Sequence, residues 1–370
     1  MKMDSKKYSN TKLFVSIAES IAGFIIVFLF VSSGLSRSLD NYLKENFNII
    51  NDYFRFLSFV SITGIAGSII SFPVSYYSGF YLEHKYKLSN QTFIAWIWEG
   101  TKELLLSLVI GVPILLIFFY CLRTFGSNWW FVLAIALFVF SVILARIVPV
   151  FILPLFYKIT PFDNENLKDR LLLMAKDAGL KIDNIYKFNM SKNTKKANAA
   201  FTGLGKTKRI ILGDTLIEKF SDDEIETVIA HELGHYKKKH IIKNIIIGTI
   251  SSFLTLYLIS VSYSYLLHQF SFTAVTEVGA LPILVLCSMV IGLIQTPLGN
   301  ILSRKYEYEA DNYAVSVTDK KEIFINALEK LTEQNLGDKD PHPFVEWFFY
   351  SHPSIKNRIS AIKSIANIVN

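Results

Sequence analysis

Runs of about 20 predominantly apolar residues, the length needed to cross a bilayer core, recur six times along the chain, near 13–34, 56–81, 103–122, 129–156, 241–267 and 280–302. The first is long for the core of a cleavable leader and is followed by no A-x-A-like site, so it reads as a retained anchor. Between the fourth and fifth runs the pattern changes. ENLKDRLLLMAKDAGL (165–180) places apolar residues at helical spacing and ends in a glycine stop. NIYKFNM (184–190) alternates and predicts a strand. NAAFTGL (198–204) and RIILGD (209–214), separated by GKTK, predict an antiparallel hairpin in the same small sheet. SDDE (221–224) opens a helix as a capping box, with Ser221 at the cap and Glu224 three positions on. The ETVIAHELGHYKKKHIIKN that follows holds no proline and no other stop, so the helix is expected to run unbroken into span five.

These patterns divide the chain into membrane spans one to four (1–156), a subdomain with a small antiparallel sheet (157–240), spans five and six (241–302) and a helical tail (303–370). The expected fold class is mainly α: a polytopic membrane protein of six transmembrane helices with a small α/β subdomain. The composition agrees, since 51% hydrophobic residues against 19% charged exceed what a soluble domain can bury. Cys121 and Cys287 both fall inside apolar spans, which leaves no disulfide framework and argues against thiolate metal binding.

The net charge of +7 is unevenly spread, and its distribution orients the chain. Lys2, Lys6, Lys7 and Lys12 precede span one; Lys85, Lys87 and Lys102 lie between spans two and three; Lys192, Lys195 and Lys196 lie between four and five. The link after span three has Arg123 alone, and 268–279 has no Lys or Arg. That alternation fits the positive-inside rule with both termini cytoplasmic. The basic residues are assigned to lipid headgroups. Nucleic acid is not an expected partner, since no basic helix or RNA-binding signature accompanies them. Glu19, Arg146, Gln295 and Asn300 lie within spans and are expected to face an interior or one another; Glu19 and Arg146 could equally snorkel to an interface.

Candidate chemistry starts at HELGHYKKKH (231–240). His231 and His235 lie one helical turn apart on one face, so their two imidazoles can hold one ion. Glu232, rotated by about 100°, can take a proton from a water at the metal without ligating it. Gly234 leaves the face open to a substrate or a neighbouring helix. On an unbroken helix His240 points about 180° from His231 and is a poor ligand. A hydrolytic zinc site needs a third ligand and one open position. SRKYEYEADNYA (303–314) offers Glu307 and Asp311 on one face directly after span six, one to reach the metal and the other to orient an imidazole. The competing reading is a six-span scaffold or transporter with a purely structural zinc; Glu232 in the base position argues against it.

HELGHYKKKH, EYEAD, NAAFTGLGKTKRIILGDTL (198–216) and YSHPSIKNRI (350–359), in that family's order, resemble the integral-membrane zinc endopeptidases of the CAAX prenyl protease type, over about 80–370. The resemblance implies a ring of helices enclosing a chamber, and one Zn2+ held by His231, His235 and Glu307. It implies Glu232 as catalytic acid/base, Asp311 beside the ligands, and a strand at Asn198, Ala199, Ala200, Phe201 and Thr202 that binds an extended peptide by β-addition. In the HPxxxxR pattern it implies His352 as donor to the oxyanion and Arg358 as orienting the Glu307 region. A neutral alternative has His352 as the solvated cap of a helix begun at Pro353. The chain departs from the eukaryotic enzymes in having six spans instead of seven and only EKFSDDEIETVIA between DTLI and HELGH. That points to a compact bacterial inner-membrane relative with a cytoplasmic active site. Its substrate would be a CAAX-type C-terminal peptide or a membrane or misfolded protein.

Overall fold

The computed structural model describes residues 4–46, 51–180, 182, 184–202 and 209–365. The GKTK link (205–208) and Lys2 lie outside these. Among the described residues six helices are long and apolar enough to cross a membrane: Ser5–Ser32, Asp52–Lys85, Phe93–Thr124, Gly126–Phe156, His240–Gln269 and Val278–Thr318. They match the six apolar runs, each extended by its polar ends. No more than 11% of the apolar stretch of the first five is buried, against 50% in the sixth. The sixth is therefore the element around which the others are arranged.

The spans are gathered at one end by an apolar cluster. Val31, Phe119 and Tyr263 come from the ends of spans one, three and five, and Phe56, Trp129 and Leu281 from the beginnings of two, four and six. Phe56 and Phe119 stack with ring centroids 4.4 Å apart. Between spans such side chains contribute close packing, since lipid tails are as apolar as they are. At the same end the Gly279 N–H donates to Asp40 Oδ2 at 3.0 Å. Deeper in the spans Gln295 and Thr255 bond to each other across spans six and five at 2.7 Å, as expected for a polar side chain that avoids lipid. Asn300 donates to the Phe348 carbonyl at 2.6 Å. Glu19 and Arg146 are exposed.

The opposite end carries the subdomain. Its four-stranded sheet has the order β1 (Ile159–Pro161), β2 (Ile185–Phe188), β4 (Arg209–Gly213), β3 (Ala199–Thr202). β3 and β4 form the expected antiparallel hairpin. β2 pairs with β4 in parallel, however, and β1 pairs antiparallel with β2. The sheet is thus mixed and not antiparallel throughout. β3 is an edge strand, its outer side without a strand partner among the described residues. Asn335 fixes the start of β3, accepting from the Ala197 N–H at 2.9 Å and donating to its carbonyl at 3.2 Å.

The helix Glu165–Asp177 stops at Gly179, whose φ of +84° suits glycine. The helix Asp222–Lys237 begins with the capping box, the Glu224 N–H donating to Ser221 Oγ and the Ser221 N–H to the Glu224 carboxylate. Ile225, Ile229 and Leu233 on one face pack against Leu167, Leu171, Ile210 and Leu212. His231 and His235 lie about 140° round from that apolar face and are turned toward span six.

The expected continuity of this helix with span five is broken. The helix does not run on into span five: it ends at Lys237, and span five starts afresh at His240 after Lys239 adopts the left-handed conformation, φ 59° and ψ 31°. Such a backbone costs a non-glycine residue about 1–2 kcal/mol. Tertiary contacts made by His240 hold it in place.

Candidate active site

Two helices build the centre. The one ending at Lys237 brings His231, Glu232 and His235; span six, continuing past the membrane segment, brings Glu307 and Asp311. They approach closely because Gly234 lies at the crossing: a Cβ there would stand 2.9 Å from Ala310 Cα and 3.0 Å from Ala310 O. Of the two uses foreseen for Gly234, the structure shows the neighbouring helix.

His231 Nε2 lies 3.2 Å from His235 Nε2 and 3.4 Å from Glu307 Oε2, and His235 Nε2 lies 3.3 Å from Glu307 Oε1. A tetrahedral zinc with bonds of about 2.05 Å separates its ligand atoms by about 3.3 Å. The spacing of the two nitrogens, and that of each nitrogen from one or the other Glu307 oxygen, therefore suit such an ion. Two imidazole nitrogens facing each other, and a buried Glu307 Oε2 without a hydrogen-bond partner, form an arrangement that a cation would satisfy. His231, His235 and Glu307 are the cluster among the described residues able to hold a metal in this way.

Around them the second carboxylate and the tail take defined places. His231 Nδ1 bonds Asp311 Oδ1 at 2.8 Å. Arg358 donates from Nε and Nη2 to the two Asp311 oxygens at 2.9 and 2.5 Å, and its Nη1 comes within 3.7 Å of Glu307 Oε2. Asp311 is 2% exposed, so its charge needs this pairing. Burial works against a charged His231, but the Asp311 and Glu307 carboxylates outweigh it and raise its pKa to about 9. The pocket is thus disposed to receive positive charge.

Glu232 is half-buried beside the ligands, within the field of Arg358. His352 is exposed, with Nε2 3.5 Å from Glu307 Oε1. It lies with Arg358 in a cleft of about 510 Å3. A larger cavity of about 700 Å3 between Trp96, Glu99 and Tyr157 contains none of these residues. β3, with Ala199, Ala200 and Phe201, runs past the same helix, the Phe201 and Tyr236 rings stacking at 6.5 Å. The Asn198 carbonyl accepts from the Gly213 N–H at 2.9 Å, which commits it to β4.

Helical spacing alone turns His240 away from the site and does not single out Glu309. The break at Lys239 swings His240 back, so that its Nδ1 lies 2.9 Å from His235 Nδ1 and its Nε2 2.9 Å from Glu309 Oε2. His240 thus touches His235, a member of the metal-competent cluster. Glu309 stands between the two acidic residues already singled out in EYEAD, and only a break in the helix could bring His240 to it.

Comparison with known proteins agrees with this geometry. Residues 161–366 match peptidase family M48, and residues 3–158 match the CAAX prenyl protease N-terminal domain, described as five membrane helices. Only four helices long enough to span are described in that segment. The likeness therefore begins near the N-terminus and not at about residue 80. An uncharacterized metalloprotease of Bacillus subtilis is 30% identical over 96% of this chain and 84% of its own. CAAX prenyl protease 1 of Saccharomyces cerevisiae is 30% identical over 98% of this chain and 85% of its own. The crystal structure of Ste24p from S. mikatae superposes with a TM-score of 0.86 at 30% identity, covering 97% of this chain and 88% of that one. With its metal-competent histidine pair, its glutamate and its helical membrane domain, the chain belongs to peptidase family M48 and is a membrane-embedded metalloendopeptidase.

Proposed function

We propose that the chain holds one zinc ion through His231, His235 and Glu307 and hydrolyses a peptide bond beside it without a covalent intermediate. The observation that carries this reading is a pair of imidazole nitrogens 3.2 Å apart, each within 3.4 Å of one oxygen of the same Glu307 carboxylate, whose buried Oε2 has no hydrogen-bond partner. Bound zinc supplies a Lewis acid that stabilises negative charge on the scissile carbonyl and acidifies a neighbouring water. Glu232 takes the proton of the attacking water and passes it to the leaving amine. His352 donates to the oxyanion of the tetrahedral species. Asp311 holds the His231 ring through Nδ1, and Arg358 keeps Asp311 ionised.

The substrate is an extended peptide that adds to the free edge of β3 at Asn198–Thr202. The relationship to CAAX prenyl protease 1 favours a prenylated C-terminal peptide. The shorter connection before HELGH keeps membrane or misfolded proteins as the second class. The alternation of basic and poorly basic links supports a cytoplasmic site and cytoplasmic termini in a bacterial inner membrane.

The test is Glu232→Gln in purified protein: zinc content should stay near one per chain while cleavage of a quenched peptide is lost. Residual wild-type turnover removes Glu232 from the mechanism. Parallel digestion of a farnesylated CAAX peptide and a denatured membrane protein, with the cut bonds identified by mass spectrometry, separates the substrate classes.

A further inference from the structure

We propose that Glu309 and His240 form a relay that orients His235 toward the metal, so that both are positioning residues of the zinc site. The proposal rests on the assignment of His235 as a ligand. His240 is 2% exposed and lies flat on the Tyr306 ring, centroids 4.1 Å apart and planes 10° apart. Its two ring nitrogens make the two contacts already described, Nδ1 to His235 Nδ1 and Nε2 to Glu309 Oε2, each at 2.9 Å.

Proton bookkeeping allows one arrangement. His235 Nε2 faces Glu307 and His231, and coordination requires its lone pair, so the ring proton of His235 sits on Nδ1. Only one proton fits between the two Nδ1 atoms, so His240 Nδ1 accepts. His240 then carries its own proton on Nε2 and donates it to the Glu309 carboxylate. The opposite tautomer of His240 would point its proton at His235, drive the His235 proton onto Nε2, where the metal would sit, and leave Glu309 facing a lone pair. Glu309 thus selects the coordinating tautomer of a residue it does not touch. Lys243 Nζ, 3.8 Å away, supplies a countercharge to Glu309.

The two histidines are therefore held differently. His231 is backed directly by a carboxylate, Asp311; His235 is backed by a carboxylate through a second imidazole. Partners of this kind typically change metal affinity 10- to 100-fold when removed. The relay also accounts for the left-handed Lys239, because without that turn His240 would project away from His235.

The experiment uses the full chain in detergent and measures zinc affinity by competition with a chromogenic chelator, with the metal-free melting midpoint and the absorption spectrum of the cobalt-loaded protein as second readouts. His240→Phe keeps a ring on Tyr306 but loses both nitrogens. It is expected to bind zinc 10- to 100-fold more weakly and to shift the cobalt bands, with the metal-free midpoint close to wild type. Glu309→Gln keeps an acceptor and should stay within about threefold of wild type, whereas Glu309→Leu should follow His240→Phe. Wild-type affinity in both His240→Phe and Glu309→Leu overturns the relay. So does equal weakening in Glu309→Gln and Glu309→Leu, or weakening matched by an equal loss of metal-free stability. His235→Ala is the reference: if it loses zinc while His240→Phe does not, the relay alone falls. If His235→Ala retains zinc, the ligand assignment falls and takes the relay with it.

Discussion

Gly234→Ala tests whether the crossing of the two helices sets the metal site. The added Cβ would meet Ala310 Cα at 2.9 Å, Ala310 O at 3.0 Å and Tyr313 Cβ at 3.2 Å. Comfortable carbon–carbon contact begins near about 3.5 Å, so the helices must part by roughly 0.6 Å or more. Two of the three obstructing atoms are backbone, so no side-chain rotation relieves them. His231 and His235 move with one helix and Glu307 with the other, and spacings now at 3.3–3.4 Å would open to about 4 Å, wider than the roughly 3.3 Å edge of a tetrahedral zinc site. Overpacking costs about 1–3 kcal/mol, but alanine recovers up to about 1 kcal/mol of helix propensity. Net stability should fall by only about 0–2 kcal/mol. Metal affinity should drop about 10- to 100-fold and turnover about 100-fold. Chelator competition, peptide cleavage and thermal unfolding of one preparation read all three. A Gly234→Ala protein with wild-type zinc affinity and turnover would refute the reasoning. So would rescue by Ala310→Gly, which leaves the obstructing Cα and carbonyl in place.

Other perturbations address the tail and the subdomain. Arg358→Leu leaves Asp311 buried without its guanidinium partner and should cost about 3–5 kcal/mol, seen as a lower melting midpoint in detergent. Arg358→Lys should recover only part of this, because one ammonium cannot pair both carboxylate oxygens as the fork does; full recovery would show that charge alone suffices. Burial opposes ionisation of Glu224, but the Lys330 ammonium and the Ser221 N–H overcome it and hold its carboxyl below the usual range. Its stabilisation is present above the ordinary carboxylate pKa and is lost as pH falls through the depressed one. Melting curves of wild type and Glu224→Gln should differ at pH 7 and converge in acid; a pH-independent gap would contradict the assignment.

Features resting on local periodicity are legible in the sequence alone. The six spans follow from uninterrupted apolar length, the capping box from four residues, and the β3–β4 hairpin from two short stretches, NAAFTGL and RIILGD, on either side of the GKTK link. His231, His235, Glu307 and Asp311 were readable because each pair repeats at one helical turn. What was not readable depends on distant partners. β1 is only Ile159–Pro161, too short to show alternation, and the parallel pairing of β2 with β4 is a crossover that no local pattern marks. The turn at Lys239 is harder still. A glycine there would announce it, but here a lysine takes the left-handed conformation and His240 meets Tyr306 and Glu309, the latter 69 positions further along the chain. On a continuous helix His240 points away from His235, and Glu309 has nothing to bind.

Arg358 reaches the Asp311 that holds His231, and His231 and Arg358 are separated by 127 positions. That distance gives the chain a biosynthetic order. The two histidines are made before span six brings Glu307 and Asp311, and Arg358, the partner of Asp311, is made after both. A nascent chain thus reaches the metal-competent arrangement only once all three stretches have met.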